Sequence, residues 1–150
     1  AVTPVTSQSP FLVSLNTPFS AAAEEIRKVK SMLLDKTRKG DFKNTLMITS
    51  ALPGEGKTTT SINLAISLAE EYDHTVLLVE ADLRRPTMHQ YLTLEDRPGF
   101  SDYLLGEVEL SDAIIPTGIG KLSIIRAGHS VSNPAELFSS QRTKSLIMEM

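Results

Sequence analysis

The chain has 150 residues, is 41% hydrophobic and 22% charged, and carries a net charge of −3 with no cysteine. That length suffices for one domain with a real core; the composition excludes disulfides and thiolate metal sites, and offers no bulk positive charge for nucleic acid. No apolar run approaches a membrane span and the N-terminus lacks the basic-then-apolar pattern of a secretion signal, so a cytoplasmic chain is expected.

Residues 1–16 are rich in Ser, Thr and Pro around a short apolar patch, Phe11-Leu12-Val13. They read as a linker or arm rather than core, with the domain proper over 17–150. Thr17-Pro18 reads as an N-cap and first helical position, opening a helix to about Lys39, with Gly40 as its stop. Phe19, Ala22, Ile26, Val29 and Leu33 recur at spacings of three and four and define its apolar face. Residues 45–50 predict a short strand and 58–71 a helix. Residues 75–79 are almost wholly apolar, the pattern of a parallel strand buried on both faces. Short helical pieces are expected over 87–91 and 99–105 and a third strand over 122–126. Ala127-Gly128 turns the chain, and Asn133-Pro134 starts a last helix running to the end. The alternation predicts an α/β fold, a doubly wound, mostly parallel sheet in three layers.

Between the first strand and its helix lies Ala51-Leu-Pro-Gly-Glu-Gly-Lys-Thr58. This matches the phosphate-binding loop G-x-x-x-x-G-K-[ST], with Ala51 in the first glycine's place. Gly54 and Gly56 let successive N–H groups turn toward phosphate oxygens, and the helix N-terminus adds a favourable dipole. Lys57 is expected on the β- and γ-phosphates and Thr58 on Mg²⁺. Pro53, Gly54, Glu55, Gly56, Lys57, Thr58, Thr59 and Arg84 form the expected nucleotide-binding set. Gly54-x-Gly56 with Glu80 downstream imitates the dinucleotide fingerprint, but the Lys-Thr pair directly after Gly56 is the P-loop order.

Glu80 and Asp82 follow the next strand. Two apart in an extended segment, they point the same way. They stand at the strand's carboxyl end, where α/β sheets bind ligands. There they can hold Mg²⁺ or its waters, or accept a proton from an attacking hydroxyl. Arg84 and Arg85 read equally as phosphate contacts or as surface ion pairs. His74, His89 and His129 are isolated and expected at the surface; Tyr72, Tyr91 and Tyr103 are expected to be structural.

With both sites in hand, the chain resembles the bacterial protein-tyrosine kinases of capsule and exopolysaccharide systems, in the P-loop class that includes the MinD/ParA ATPases. Ser50 to Thr58 is similar to the family's Walker A motif, Val76 to Pro86 to its Walker A′ motif, and Ser132 to Ser140 to a helix start downstream. The resemblance implies a kinase transferring the γ-phosphoryl of Mg·ATP to tyrosine, on itself and on other proteins, and so regulating polysaccharide synthesis and export. By carry-over, Lys57, Glu80 and Asp82 are catalytic, and Thr58, Glu80 and Asp82 ligate the metal. The family usually has Asp where this chain has Glu80. Implied partners are ATP and ADP and a membrane polysaccharide co-polymerase that would hold the chain peripherally at the inner membrane; no nucleic acid is implied. The family's E-x-x-R-x-x-R helix, which builds a ring of subunits, is matched by Glu24, Arg27 and Lys30. That stretch reads equally as a solvated helical face.

Two other functions fit the loop. One is a MinD/ParA-like positioning ATPase, against which Leu52 stands where that group has a signature lysine. The other is a non-catalytic nucleotide-gated interaction module. The family's Walker B strand and tyrosine-rich tail have no counterpart before Met150, so the chain reads as a fragment, less stable than its full-length parent.

Overall fold

The computed structural model describes residues 4–38, 44–71 and 73–149. Val76–Val79 (β1) and Leu122–Ile125 (β3) pair in parallel, Val76 opposite Leu122 and Val79 opposite Ile125. Ile115–Pro116 (β2) adds an antiparallel strand, giving the order β1-β3-β2. Pro116 is tolerated because β2 is an edge. Successive strand side chains face opposite sides, and two apolar clusters divide on that rule. Val76, Leu78, Leu122 and Ile124 belong to one; Leu77, Val79 and Ile125 belong to the other.

Lys57–Ala69 (α3) covers the first face with Ile62, Ala65, Ile66 and Ala69. Ile62 and Ile66 are fully buried, each contributing about 1.5–3 kcal/mol of transfer free energy before conformational costs. The second face is covered by Phe100–Leu105 (α4), Leu110–Ala113 (α5), Pro134–Phe138 (α6) and Gln141–Glu149 (α7), through Phe100, Leu104, Ala113, Phe138 and Leu146. The sheet is thus sandwiched between helices, but all four residues of β1 are half-buried rather than buried on both faces as the apolar run at 75–79 predicts. Among the described residues it has three strands, one pair parallel and one antiparallel, rather than an extended parallel sheet.

Several expectations are corrected. Residues 45–50 form no strand: they have no ladder partner among the described residues, and Leu46 and Met47 are exposed. An extended apolar run becomes a strand only when a neighbour offers it hydrogen bonds. Residues 4–16 are anchored to the core rather than forming a loose arm. Val5 and Leu12 are buried in the first cluster. Val5 N–H donates to the Thr117 carbonyl at 2.8 Å and Thr93 N–H to that of Thr6 at 3.0 Å. Val13–Asn16 forms a helical turn (α1), pinned where Asn63 accepts from Ser14 N–H and donates to the Phe11 carbonyl, both at 2.8 Å. A Ser/Thr/Pro composition conceals this because two well-placed apolar side chains suffice to anchor the strap.

The long helix Ala21–Arg38 (α2) starts later than Thr17-Pro18 suggests. Residues 17–20 form a turn, closed by Ser20 N–H on the Thr17 carbonyl, and Ser20 Oγ accepts from Ala23 N–H at 3.2 Å. Ser20 is therefore the cap and Pro18 the second turn residue. The packed face is also rotated from the expected one: Ala23 is buried, whereas Phe19 is 98% exposed and Val29 is exposed. The Gly40 stop lies outside the described residues. The last helix is two, α6 and α7, divided at Ser139-Ser140. Among the described residues no helix is long and apolar enough to cross a membrane.

Candidate functional site

The loop before α3 takes its shape from Gly54 and Gly56, whose φ angles are 83° and 88°. A Cβ at Gly54 would meet nothing within 4 Å, so the left-handed backbone, not space, calls for glycine there. Gly56 caps α3, and Thr60 N–H donates to its carbonyl at 2.9 Å. The N–H groups of the first helical turn have no carbonyls ahead of them within the helix, the condition under which a helix start receives an anion. Glu55 ties the loop together: its Oε2 accepts from Leu52 N–H at 2.9 Å, and Ser50 Oγ donates to the Leu52 carbonyl at 3.0 Å. Thr59 Oγ1 donates to the Gly56 carbonyl at 2.9 Å, so this hydroxyl serves the loop's own geometry.

Lys57 Nζ lies 2.9 Å from Asp82 Oδ2, with both side chains about one-third exposed. Asp82 Oδ1 accepts from Arg85 N–H at 3.1 Å. Burial alone would push the Asp82 carboxyl up. The Lys57 hydrogen bond, the Arg85 N–H, the Lys57 charge and the Arg84 N–H outweigh it and hold the carboxyl below its ordinary 3.8. At neutral pH Asp82 is therefore an ionised carboxylate beside the loop.

Glu80 has a different environment. It is 8% exposed. Its Oε1 accepts from Thr87 N–H and Met88 N–H, both at 2.7 Å, and its Oε2 from Ala127 N–H at 3.1 Å. The expectation that Glu80 and Asp82 point together rested on an extended segment. Glu80 N–H continues the ladder to the Ile125 carbonyl at 2.9 Å, but Leu83 N–H then closes on the Ala81 carbonyl at 3.0 Å and the chain turns. The two carboxylates accordingly have different partners. Pro53, Arg84 and Arg85 are not buried: Pro53 is exposed in the loop, and both arginines are exposed beyond Asp82.

Thr58 Oγ1 lies 2.9 Å from Thr87 Oγ1. Thr87 had no signal in the sequence, since it stands alone after Arg84-Arg85-Pro86 and reaches the loop only through the tertiary fold. A second unsignalled feature is the Asp102–His129 pair. Asp102, 1% exposed, accepts from Gly99 N–H at 2.6 Å and lies 2.6 Å from His129 Nδ1. The bond to Asp102 and its charge raise the His129 pKa above 6.5. His129 is exposed, as expected, but it is not isolated. Tyr91 and Tyr103 pack against the two cores, and Tyr72 lies outside the described residues.

The site suits a nucleotide with a hard divalent cation. Thr58 and Asp82 offer oxygen donors next to a cationic Lys57 and a glycine loop, and Mg²⁺ characteristically takes one or two protein oxygens alongside substrate phosphates. Among the described residues no group of three or more His, Asp or Glu side chains gathers as a self-sufficient metal cage.

Residues 44–150 match the family model described as an AAA domain. The chain is 36% identical over 138 residues to the tyrosine-protein kinase YwqD of Bacillus subtilis, covering 92% of this chain and 57% of that protein. It is 36% identical over 142 residues to the tyrosine-protein kinase etk of Escherichia coli, covering 95% of this chain and 19% of that protein. Among solved structures, the kinase domain of the Escherichia coli tyrosine kinase ETK superposes with a TM-score of 0.82 at 35% identity, over 96% of this chain and 55% of that one. The chain thus spans little more than half the length of one of these curated relatives and about a fifth of the other. It belongs to the AAA domain family, and its relatives lie among the bacterial tyrosine-protein kinases.

Proposed function

We propose that the chain is the nucleotide-binding part of an ATP-dependent protein-tyrosine kinase that acts on itself and on other proteins. The observation that carries this reading is the Lys57–Asp82 pair, 2.9 Å apart at the mouth of the glycine loop. Such a pair keeps a cation and an ionised carboxylate ready where phosphates would enter. When ATP binds, Lys57 exchanges Asp82 for the β- and γ-phosphates, and the N–H groups from Gly54 to Thr58 surround the phosphate oxygens. Asp82 and the Thr58 hydroxyl would be the residues to hold Mg²⁺, which would supply charge neutralisation to the transferring group. Loop and side chains then act by positioning and charge, since phosphoryl transfer asks little covalent chemistry of the protein. Glu80, held by three backbone N–H groups, shapes the site rather than ligating the metal.

A membrane polysaccharide co-polymerase as partner, peripheral attachment to the inner membrane through it, and a role in polysaccharide export follow from the family resemblance. Assembly through α2 would have to open existing contacts. Arg27 donates to Glu24 and to the Pro18 carbonyl, and Lys30 lies 2.6 Å from Glu71. The positioning-ATPase reading is not favoured, because Leu52 puts an exposed apolar side chain where a cation would have to reach across a dimer.

Calorimetric titration with Mg·ATP, followed by phosphotyrosine detection, tests the proposal. Lys57→Ala should abolish saturable binding and all phosphotransfer. Tyrosine phosphorylation persisting in that variant would refute it.

A further inference from the structure

The Thr58 hydroxyl is placed differently from its neighbours on α3. Thr59 Oγ1 and Ser61 Oγ donate to carbonyls of their own turn, at 2.9 and 2.6 Å. Thr58 Oγ1 instead meets Thr87 Oγ1, across 29 residues of sequence, at 2.9 Å. Thr87 sits just before the 3-10 turn Met88–Gln90, and its side chain makes no capping bond there. Its hydroxyl therefore serves Thr58 rather than the turn.

The Thr87 backbone is held independently of that hydroxyl. Its N–H and that of Met88 donate to Glu80 Oε1 at 2.7 Å, and Glu80 Oε2 is held by Ala127 N–H at the end of β3. Met88, 3% exposed, anchors the same turn in the first core. The carboxylate thus joins the end of β1, the 3-10 turn and the end of β3 into one support under Thr87.

A hydroxyl that gives a lone pair to a divalent cation keeps its proton and must direct it to an acceptor. That acceptor orients the ligand, as the partners of metal ligands generally do. We propose that Thr87 is a positioning residue for the metal site. Its Oγ1 accepts the proton of the Thr58 hydroxyl and so aims the Thr58 lone pair at the cation, while Glu80 holds Thr87 in place. The proposal rests on the reading of Lys57 and Thr58 as a phosphate- and Mg²⁺-binding pair.

The test is a titration of this chain with a fluorescent ADP analogue, once in EDTA and once across a MgCl₂ series. Wild type, Lys57→Ala, Thr87→Val and Thr87→Ser are compared, with circular dichroism to verify folding. Valine keeps the shape and the N–H bond to Glu80 but removes the hydroxyl. In Thr87→Val the Mg²⁺ concentration giving half of the affinity gain should rise about 10-fold or more, the usual cost of losing a partner of a metal ligand. Its affinity in EDTA should stay within about 2-fold of wild type, and Thr87→Ser should keep the wild-type Mg²⁺ midpoint. An unchanged midpoint in a folded Thr87→Val would overturn the proposal while leaving the nucleotide site standing. So would a Thr87→Ser midpoint shifted as far as that of Thr87→Val, which would assign the effect to shape. If Thr87→Val misfolds, the serine variant and Thr87→Ala decide by the same midpoints. Wild type that binds no nucleotide, or binds it identically with and without Mg²⁺, would overturn the underlying reading and this proposal together.

Discussion

Glu80→Gln separates a structural carboxylate from a metal-binding one. Glu80 is 8% exposed and accepts three backbone N–H bonds, two on one oxygen and one on the other. A glutamine can present its carbonyl oxygen to Thr87 and Met88, but its NH₂ then faces the Ala127 N–H, donor against donor. One bond is lost, two lose their charge assistance, and one N–H at the end of β3 is left unpartnered. Hydrogen bonds to charged groups contribute about 1.5–3 kcal/mol each and a buried unpaired donor costs about 1–3 kcal/mol. Allowing for relaxation, the expected net loss is about 2–4 kcal/mol. For a chain of this size that is a fall in Tm of about 5–12 °C. Urea denaturation followed by circular dichroism should show a lower midpoint at an unchanged slope. A metal ligand without these bonds would behave oppositely: removing its charge would spare the metal-free protein and weaken only the Mg²⁺-bound one. A Glu80→Gln chain as stable as wild type without metal would refute the structural assignment.

Leu12→Ala removes a side chain with no exposed surface from the N-terminal strap and should cost about 2–5 kcal/mol in a chemical melt; a change near zero would return residues 4–16 to the status of a linker. Gly120 has φ of 49°, and a Cβ there would come within 2.1 Å of the Ala69 carbonyl oxygen, so Gly120→Ala should destabilise by at least about 2 kcal/mol or leave the chain insoluble, whereas Gly54→Ala, with open space around it, should mainly weaken nucleotide binding through its backbone. The raised His129 pKa predicts a pH-dependent contribution. The stabilisation is complete below the unfolded value of 6.5 and is lost as pH rises through the folded value, so His129→Gln should lower stability near pH 5.5 and converge on wild type at alkaline pH. Asp102, held below 3.8 against its burial by Gly99 N–H and His129, contributes above that value and loses its contribution as pH falls through the folded one. An NMR titration of His129 that gives an ordinary histidine pKa would contradict this pairing.

The glycine loop, the two parallel strands and the helix after the loop were legible in the sequence because each follows from local chemistry. Gly54 and Gly56 announce a backbone that other residues avoid. The apolar run at 76–79 announces a strand packed from both sides, and Lys57-Thr58 raises the expectation of an anion. What local chemistry does not carry is which partner each group meets. Whether residues 45–50 form a strand depends on a neighbour's hydrogen bonds, not on their own composition. Which face of α2 packs depends on where α3 lies, so a run with apolar side chains at several spacings leaves the choice open. Glu80 and Asp82 look equivalent at a spacing of two, yet a turn at Ala81 gives one to three backbone N–H groups and the other to Lys57. Thr87 meets Thr58 only because β1, the 3-10 turn and β3 converge on one carboxylate. The sequence by itself determined the glycine loop at residues 51–58 and the expectation, from local chemistry, that it cradles phosphate; the tertiary structure alone decided which side chains stand around that loop, because long-range hydrogen bonds and packing, not spacing, set their positions.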